Sequence, residues 1–258
     1  MKKLWVGTSW KMNKDSESAQ AWASAVLPRV NKLHPQLQPF VIPPFPYISA
    51  VSSALDASVM KVGAQNMCWQ DEGAFTGEIS PLMLKDCGAS IVEIGHSERR
   101  AQFGETDETV NLKVHSALRH SLTPLVCVGD SGKEKRWGVS REAVLKQVKI
   151  ALYEVPDHQV PQVIIAYEPI WAIGENGIPA TSQEAESMHF AIRRELRELY
   201  GADLADAITL LYGGSVNLDN ASNLLDQPNI DGVFVGRTAW NASGYVQLLE
   251  IANSKFNS

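Results

Sequence analysis

The 258-residue sequence predicts an α/β protein, specifically a single-domain (β/α)8 barrel. Short apolar runs rich in β-branched residues, typical of buried parallel strands, alternate eight times with segments whose apolar residues recur at helical spacing. No composition shift, low-complexity run or linker interrupts this alternation. Barrels of this class commonly reach this length as one domain, so we expect residues 1–258 to form one unit.

The first half of the chain supplies four strand patterns. The first, at Leu4–Gly7, leads through a polar loop to a helix that begins near Ser16, because apolar residues recur there at helical spacing. The next strands are predicted at 40–42, which ends at two prolines and precedes a short helical piece, and then at 60–64 and 91–94.

The second half continues the alternation. Helix patterns over about 108–120 and 141–153 precede the strand at 125–128 and the strand that ends at Glu168. Thr181 and Glu184 form a capping box that predicts the start of a long helix. The apolar stripe of that helix comprises Ala185, Met188, Ile192, Leu196 and Leu199. The last strands are predicted at 208–212 and 233–235, each followed by glycine and a helical pattern.

A doubly wound open sheet is the structural alternative to the barrel. Open sheets that bind dinucleotides have a glycine-rich turn after the first strand, and this chain has no such turn there. The sequence therefore favours the barrel, and we expect no cofactor.

Composition and charge make several classes of partner improbable. The net charge is −6, so we expect no broad basic surface for nucleic acid or an anionic membrane. No apolar run approaches the ~20 residues of a membrane span. The three cysteines, Cys68, Cys87 and Cys127, are odd in number and lack the spacing of metal ligands, which favours reduced thiols in a cytoplasmic setting without a metal. An anionic ligand must therefore be bound locally.

Glu168 stands where the apolar run 164–167 ends, so its carboxylate is predicted to project from the rigid end of a buried strand. Pro169 restricts the next backbone dihedral, and the segment beyond is apolar at first and bracketed later by glycine, as a hinged lid requires. A strand-end acid beneath a lid indicates proton transfer in a site that excludes water. The alternative is a glutamate in an ordinary surface salt bridge.

In a barrel of this kind the carboxyl ends of all strands share one face, where active sites lie. Polar residues at those ends should therefore converge although they are far apart in sequence. They are Ser9, Trp10, Lys11 and Asn13 after the first strand, His96, Ser97 and Glu98 after the fourth, Glu168 after the sixth, Gly213, Gly214 and Ser215 after the seventh, and Gly236 and Arg237 after the eighth.

Each residue type suits one task in moving a carbonyl group. Glu168 could remove a proton from the carbon beside a carbonyl. Lys11 could stabilise a phosphate and the oxygen of an enediolate, and His96 could donate a hydrogen bond to that oxygen. The glycine turns could bring backbone N–H groups close to an anion at the start of a helix. Each residue also has an alternative when it is considered singly. Lys11 could be a solvated surface lysine, His96 a histidine at a helix start, and the glycines plain turns.

Four segments resemble the signature segments of the triosephosphate isomerase family. They are Trp10-Lys11-Met12-Asn13, the Gly-His-Ser-Glu-Arg-Arg run at 95–100, the run at 166–174 and the Tyr-Gly-Gly-Ser run at 212–215. The resemblance spans nearly the whole chain. It implies a TIM barrel in which Lys11 and His96 are the electrophiles and Glu168 is the base.

The same resemblance implies roles for residues around these three. Gly174, Ser215 and the turn at Gly236 would contact the phosphate, and Glu98 would orient Lys11.

The resemblance also implies a homodimer. The connection 65–78 carries Trp69 and Phe75, which are apolar residues that an exposed loop would not ordinarily hold. Its Gly-Ala-Phe-Thr-Gly-Glu core resembles the intersubunit loop of the family, which would bring Thr76 near Ser9 and Glu98 of the neighbouring active site. The alternative is a loop folded onto its own barrel.

Three positions that face the site depart from the family pattern. The family usually has Asn where Ser9 stands, two consecutive glycines where Gly236 and Arg237 stand, and a short Thr-Gly-Lys type of lid end where 175–179 stands. A smaller residue at position 9 leaves space beside the reacting carbons. The guanidinium of Arg237 could make a bidentate contact with the phosphate, or it could point to solvent.

These departures make the chain more similar to the L-erythrulose-1-phosphate isomerase subgroup, which is linked to erythritol-type polyol catabolism. That similarity implies conversion of L-erythrulose 1-phosphate to D-erythrulose 4-phosphate, for which the pocket must admit an extra hydroxymethyl group, and Ser9 is one place for it. One alternative is ordinary isomerisation of dihydroxyacetone phosphate to D-glyceraldehyde 3-phosphate in glycolysis. Another is a non-catalytic sugar-phosphate-binding protein, which the presence of Lys11, His96 and Glu168 together argues against.

Overall fold

Eight parallel strands form a closed barrel in chain order in the computed structural model, which describes residues 3–174 and 177–256. Each strand pairs with its neighbour in sequence, and β8 closes the barrel on β1. The strands are β1 Leu4–Ser9, β2 Leu37–Ile42, β3 Lys61–Ala64, β4 Ile91–Ile94, β5 Thr123–Val128, β6 Ile164–Tyr167, β7 Thr209–Tyr212 and β8 Gly232–Val235. The predicted barrel is confirmed, and the open-sheet alternative is wrong.

Helices connect successive strands. They are α1 Ser16–Val30, α2 Ile48–Leu55, α3 Pro81–Asp86, α4 Ser97–Gln102, α5 Asp107–Arg119, α6 Gly132–Trp137, α7 Ser140–Ala151, α8 Ser182–Tyr200, α9 Ala202–Ala207, α10 Ala221–Leu225 and α11 Ala242–Ser254. Short 3-10 turns lie at Phe45–Tyr47, Val160–Gln162, Ile170–Ala172 and Arg237–Ala239. The sequence pattern misses α3, α4, α6 and α9, because six residues are too few to show a helical period. Among the described residues, no helix has the length and apolarity needed to cross a membrane.

Most element bounds lie within two residues of the predicted ones, and the larger differences are at β2 and in α8. Strand β2 begins at Leu37 rather than Phe40, because Gln38 is buried in the strand and its Nε2 donates to the Val59 carbonyl at 2.8 Å. The capping box of Thr181 and Glu184 at the start of α8 is confirmed. The apolar stripe of α8 ends one turn earlier than predicted, since Leu199 is 45% exposed.

The core has two parts, because side chains on a strand alternate between the barrel interior and the helices. The larger part lies between the strands and the helices. The interior is filled by a smaller apolar cluster comprising Phe40, Ile42, Ile91, Leu125, Cys127, Ile164, Ala166, Leu211 and Phe234. A filled interior leaves the ends of the strands as the place where a ligand can be bound.

Candidate active site

A cavity of about 470 Å³ opens at the carboxyl ends of the strands. Its lining includes most of the residues that the sequence assigns to the site: Ser9, Lys11, His96, Glu98, Glu168, Gly174, Gly213, Gly214, Ser215, Gly236 and Arg237. Of the residues predicted at the strand ends, Trp10, Asn13 and Ser97 do not line this cavity. Thr76, expected near the neighbouring active site, lies exposed on the loop between β3 and α3 and does not line it either. The convergence predicted from the strand ends is therefore present within one chain for all but these three strand-end residues.

Glu168 follows β6 directly and is held there by its backbone. Its N–H donates to the Val128 carbonyl at 2.8 Å. Gly213 leaves room for the carboxylate, since a Cβ at that position would lie 2.7 Å from the Glu168 Cγ. Burial, followed by the charge of Glu93, raises the pKa of Glu168 well above its usual range. A carboxylate in these surroundings is a stronger base than one in water.

His96 caps the start of α4 and faces Glu168 at the same time. Its Nδ1 accepts a hydrogen bond from the Glu98 N–H at 3.1 Å, so the hydrogen of the neutral ring lies on Nε2. Nε2 is 3.5 Å from Oε2 of Glu168. Burial, followed by the charge of Lys11, lowers the pKa of His96 to about 4. Near neutral pH this side chain is therefore an uncharged hydrogen-bond donor toward the cavity, and its helix-start role is also correct.

Lys11 lies in a strained backbone conformation, with a φ of 52°. Gln65 supports this conformation, because its Nε2 donates to the Lys11 carbonyl at 2.8 Å. The Lys11 Nζ lies 2.6 Å from Oε1 of Glu98. The ammonium group therefore lies at the cavity wall in the contact with Glu98 that the resemblance implies.

Glycine-containing turns after β7 and β8 form another part of the cavity wall. The turn at Gly213 and Gly214 is held by Asn220, whose Nδ2 donates to the Ser215 carbonyl at 2.9 Å. The expectation that a helix begins directly at this turn is wrong, because α10 begins only at Ala221 and the intervening residues form bends and turns. After Gly236 a single 3-10 turn follows at once.

Arg237 connects the turn after β8 to the lid. Its Nη2 donates to the Gly174 carbonyl at 2.7 Å, although the residue is exposed. Gly174 has a φ of 92°, a conformation that favours glycine. The side chain thus has a protein partner, and a phosphate contact for Arg237 stays a prediction. Residues 175 and 176 of the predicted lid end lie outside the described residues.

Sequence reasoning missed Asp130, which holds the first half of the lid. This buried carboxylate accepts hydrogen bonds from the Tyr167 hydroxyl at 2.9 Å and from the Trp171 indole Nε1 at 3.0 Å. Ser140 Oγ donates to it at 2.6 Å. Its position just beyond the end of β5 was the available signal, since the other strand ends supplied the rest of the site.

Sequence reasoning also missed Glu93, which lies inside the barrel on β4 and is 3% exposed. Ser9 Oγ donates to Oε2 of Glu93 at 2.9 Å. Burial raises the pKa of Glu93 to about 7. A carboxyl group inside an apolar strand was the available signal, because such a group is costly to bury without a purpose.

Comparison of the sequence with known proteins identifies a family and several relatives. The family model of triosephosphate isomerase matches residues 4–252. The chain is 48% identical over 250 residues, or 96% of both chains, to a protein from Brucella abortus (strain 2308) named L-erythrulose-1-phosphate isomerase. A protein of the same name from Rhizobium etli is 49% identical over 248 residues, covering 95% of this chain and 91% of that one. One from Mesorhizobium japonicum is 47% identical over 97% of both chains.

The family match runs from the start of β1 into α11 and includes every strand end that contributes to the cavity. The chain belongs to the triosephosphate isomerase family.

Proposed function

We propose that this protein is a sugar-phosphate isomerase that converts L-erythrulose 1-phosphate to D-erythrulose 4-phosphate. The observation that carries the proposal is that a buried carboxylate, a neutral hydrogen-bond donor and a cation line one cavity, namely Glu168, His96 and Lys11. The relatives named as L-erythrulose-1-phosphate isomerases support the choice of substrate.

The proposed reaction moves one proton between two neighbouring carbons and one between the oxygens that they carry, so it needs no other reactant. Glu168 takes the proton from the carbon beside the carbonyl and returns it to the former carbonyl carbon. Negative charge on the enediolate oxygens is stabilised by the Lys11 ammonium and by the Nε2 hydrogen of His96. A neutral histidine of this kind is the known arrangement in triosephosphate isomerase itself. Gly174, Ser215 and Gly236 are proposed to surround the phosphate.

The substrate carries one more hydroxymethyl group than dihydroxyacetone phosphate, and Ser9 supports the proposal that the cavity admits it. Ser9→Asn should refill the space and reduce kcat/KM for the four-carbon substrate more than for the three-carbon one. Crowding by a few atoms in a tight pocket costs roughly 1–3 kcal/mol. Equal losses on both substrates would remove the support for this role of Ser9.

Isomerisation of dihydroxyacetone phosphate is the second candidate reaction, because the same base and electrophiles serve it. A parallel assay of the purified protein on dihydroxyacetone phosphate and L-erythrulose 1-phosphate separates the two. We expect a higher kcat/KM for L-erythrulose 1-phosphate, and a preference for dihydroxyacetone phosphate by orders of magnitude would contradict the proposal. Glu168→Gln is the control for contaminating isomerases, and binding without turnover by the wild-type protein would indicate a non-catalytic binding protein.

We further propose that the active unit is a homodimer in the cytoplasm. The half-buried Trp69 and the 42% exposed Phe75 support the dimer, because they lie on a long loop that extends from β3. In this arrangement Thr76 approaches the active site of the other subunit. The cytoplasmic setting is supported by the number and spacing of the cysteines.

A further inference from the structure

Glu93 is a buried carboxyl group that the proposed reaction does not use. It lies two residues after Ile91 on β4, so both side chains point to the same face of the sheet, and Ile91 belongs to the cluster that fills the barrel. Burying a carboxyl group costs free energy unless it has a partner. The hydrogen bond from Ser9 Oγ to Oε2 of Glu93, at 2.9 Å, provides that partner.

Ser9 lines the cavity, whereas Glu93 is not part of the lining. The Ser9 hydroxyl is therefore the group through which Glu93 can act on a ligand by hydrogen bonding. This hydroxyl has one hydrogen to donate and two lone pairs with which to accept. An ionised carboxylate can only accept, so ionised Glu93 takes the Ser9 hydrogen and leaves the Ser9 lone pairs for a ligand.

We infer that Glu93 is a positioning residue that holds the Ser9 hydroxyl as a hydrogen-bond acceptor toward the cavity, where it binds a hydroxyl group present in four-carbon and absent from three-carbon sugar phosphates. The identity of these ligands rests on the function proposed above. The inference explains why a carboxyl group lies beneath a serine at this position, since a donor beneath Ser9 would leave the hydroxyl free to turn its hydrogen toward the ligand.

Ionisation of Glu93 controls this arrangement. A protonated Glu93 can donate its own hydrogen to Ser9, which frees the Ser9 hydrogen to point into the cavity. The titratable groups that influence Glu93 or are influenced by it are Lys11 after β1, Glu98 on α4, Glu105 before α5, Cys127 on β5 and Glu168 after β6. Lys11 favours the ionised form, while burial and the neighbouring glutamates raise the pKa of Glu93 to about 7. The preference for the extra hydroxyl should therefore increase as pH rises through about 7.

The test uses ligands that bind without reacting. Reduction of L-erythrulose 1-phosphate and dihydroxyacetone phosphate at the carbonyl gives four-carbon polyol phosphates and glycerol 3-phosphate. Their competitive inhibition constants are measured from pH 6 to pH 8.5 against whichever substrate the protein turns over. The quantity of interest is the inhibition constant of glycerol 3-phosphate divided by that of the four-carbon ligand. Both ligands carry the same phosphate group, so its titration cancels in this ratio.

In the wild-type protein we expect this ratio to favour the four-carbon ligand and to rise with pH. Ser9→Ala removes the acceptor and should reduce the ratio by about three- to tenfold, the usual worth of one hydrogen bond. Glu93→Gln keeps the shape but cannot ionise, so its ratio should be independent of pH. Adding Glu93→Gln to Ser9→Ala should change the ratio no further. Thr8→Val is the matched control, because Thr8 is a neighbouring buried hydroxyl on β1 that does not line the cavity.

Three results would overturn the inference. They are a wild-type ratio that does not favour the four-carbon ligand, a ratio in Glu93→Gln that follows the wild-type pH profile, and a pH dependence that persists in Ser9→Ala. The last result would assign the titration to another group such as Glu168. The proposed function is judged separately by turnover of the wild-type protein. If the wild type prefers dihydroxyacetone phosphate and the ligand ratio still depends on Glu93, the function fails and the inference stands.

Discussion

At the scale of single residues, the site depends on burial, which raises the pKa of Glu168 and lowers the pKa of His96. Burial makes the charged form of Glu168 costly and so strengthens it as a base. Burial and the nearby Lys11 keep His96 uncharged, so that its Nε2 hydrogen is available for a substrate oxygen. These surroundings suit proton abstraction beside a carbonyl, because the base is strong and the donor adds no competing positive charge.

Shortening the base tests its position. Glu168→Asp withdraws the carboxylate by about one carbon–carbon bond, and a displacement of that order can lower the rate on the order of 100-fold. We expect the loss in kcat with little change in KM, measured by steady-state kinetics. Near-normal turnover by this variant, or by Glu168→Gln, would contradict the assignment of Glu168 as the base.

The acid limb of the pH profile tests the environment of the same residue. Because the base must be ionised and its pKa is raised, kcat/KM should fall with decreasing pH at a value above the ordinary range of a carboxyl group. Glu93→Gln removes a neighbouring charge and should move this limb to lower pH. An identical acid limb in the variant and the wild type would show that the two carboxyl groups do not interact.

At the scale of elements, the loop after β6 is attached to other strand ends at Trp171 and at Gly174. The Trp171 indole donates a hydrogen bond to Asp130 just beyond β5, and Arg237 after β8 donates one to the Gly174 carbonyl. The Lys135 ammonium also lies over the ring of Trp171, 3.1 Å from its centroid. The loop that follows Glu168 is thus attached to residues at the ends of β5 and β8 as well as to its own strand.

Removal of the Arg237 attachment should affect both candidate substrates equally. Arg237→Gly deletes the guanidinium that binds the lid and that we propose to lie near the common phosphate. We expect kcat/KM for L-erythrulose 1-phosphate and dihydroxyacetone phosphate to fall by similar factors, and Arg237→Lys to restore little, since a lysine lacks the planar guanidinium. A loss confined to one substrate would instead assign Arg237 to substrate choice.

At the scale of the whole molecule, the barrel joins strand ends from residue 9 to residue 237 into one cavity. A buried ion pair of Arg193 with Asp231, at 2.6 Å, ties α8 to the residue before β8. The fold also holds Glu93 in its interior at a cost that depends on pH. The folded protein retains a proton on Glu93 up to a pKa of about 7, whereas the unfolded chain loses it near the ordinary value of 4.5.

This difference predicts how stability changes with pH. Between about pH 4.5 and 7 the folded state binds more protons at Glu93 than the unfolded state, so this residue lowers the free energy of unfolding as pH rises. Glu93→Gln lacks the effect. Its stability relative to wild type should increase from pH 4.5 to pH 7 by an amount on the order of 3 kcal/mol, measured by urea unfolding. A difference that stays constant over this range would contradict the assignment.

The proposed dimer is tested by the mass of the protein in solution. We expect a dimer at micromolar concentration, and a charged substitution, Phe75→Glu, should weaken it because Phe75 is exposed on the loop of the single chain. Glu78→Gln on the same loop is a milder control. A fully active monomer would contradict the dimer.

The sequence by itself determined the barrel, the strand ends and most of the polar residues that meet at the cavity. Strand patterns and helical spacing are local properties, and a closed parallel barrel then brings the strand ends together without further information. This is why Lys11, His96 and Glu168 could be assigned to one site from the chain alone.

Only the tertiary structure decided which groups interact across the barrel. Ser9 and Glu93 are 84 residues apart, and Asp130 and Trp171 are 41 apart, so neither contact leaves a local signal. Burial, which sets the charge of Glu93, Glu168 and His96, likewise depends on how all strands pack together. The sequence therefore identified the residues that we propose to carry out the reaction. Packing set their protonation and the hydrogen-bond directions on which the proposed substrate choice depends.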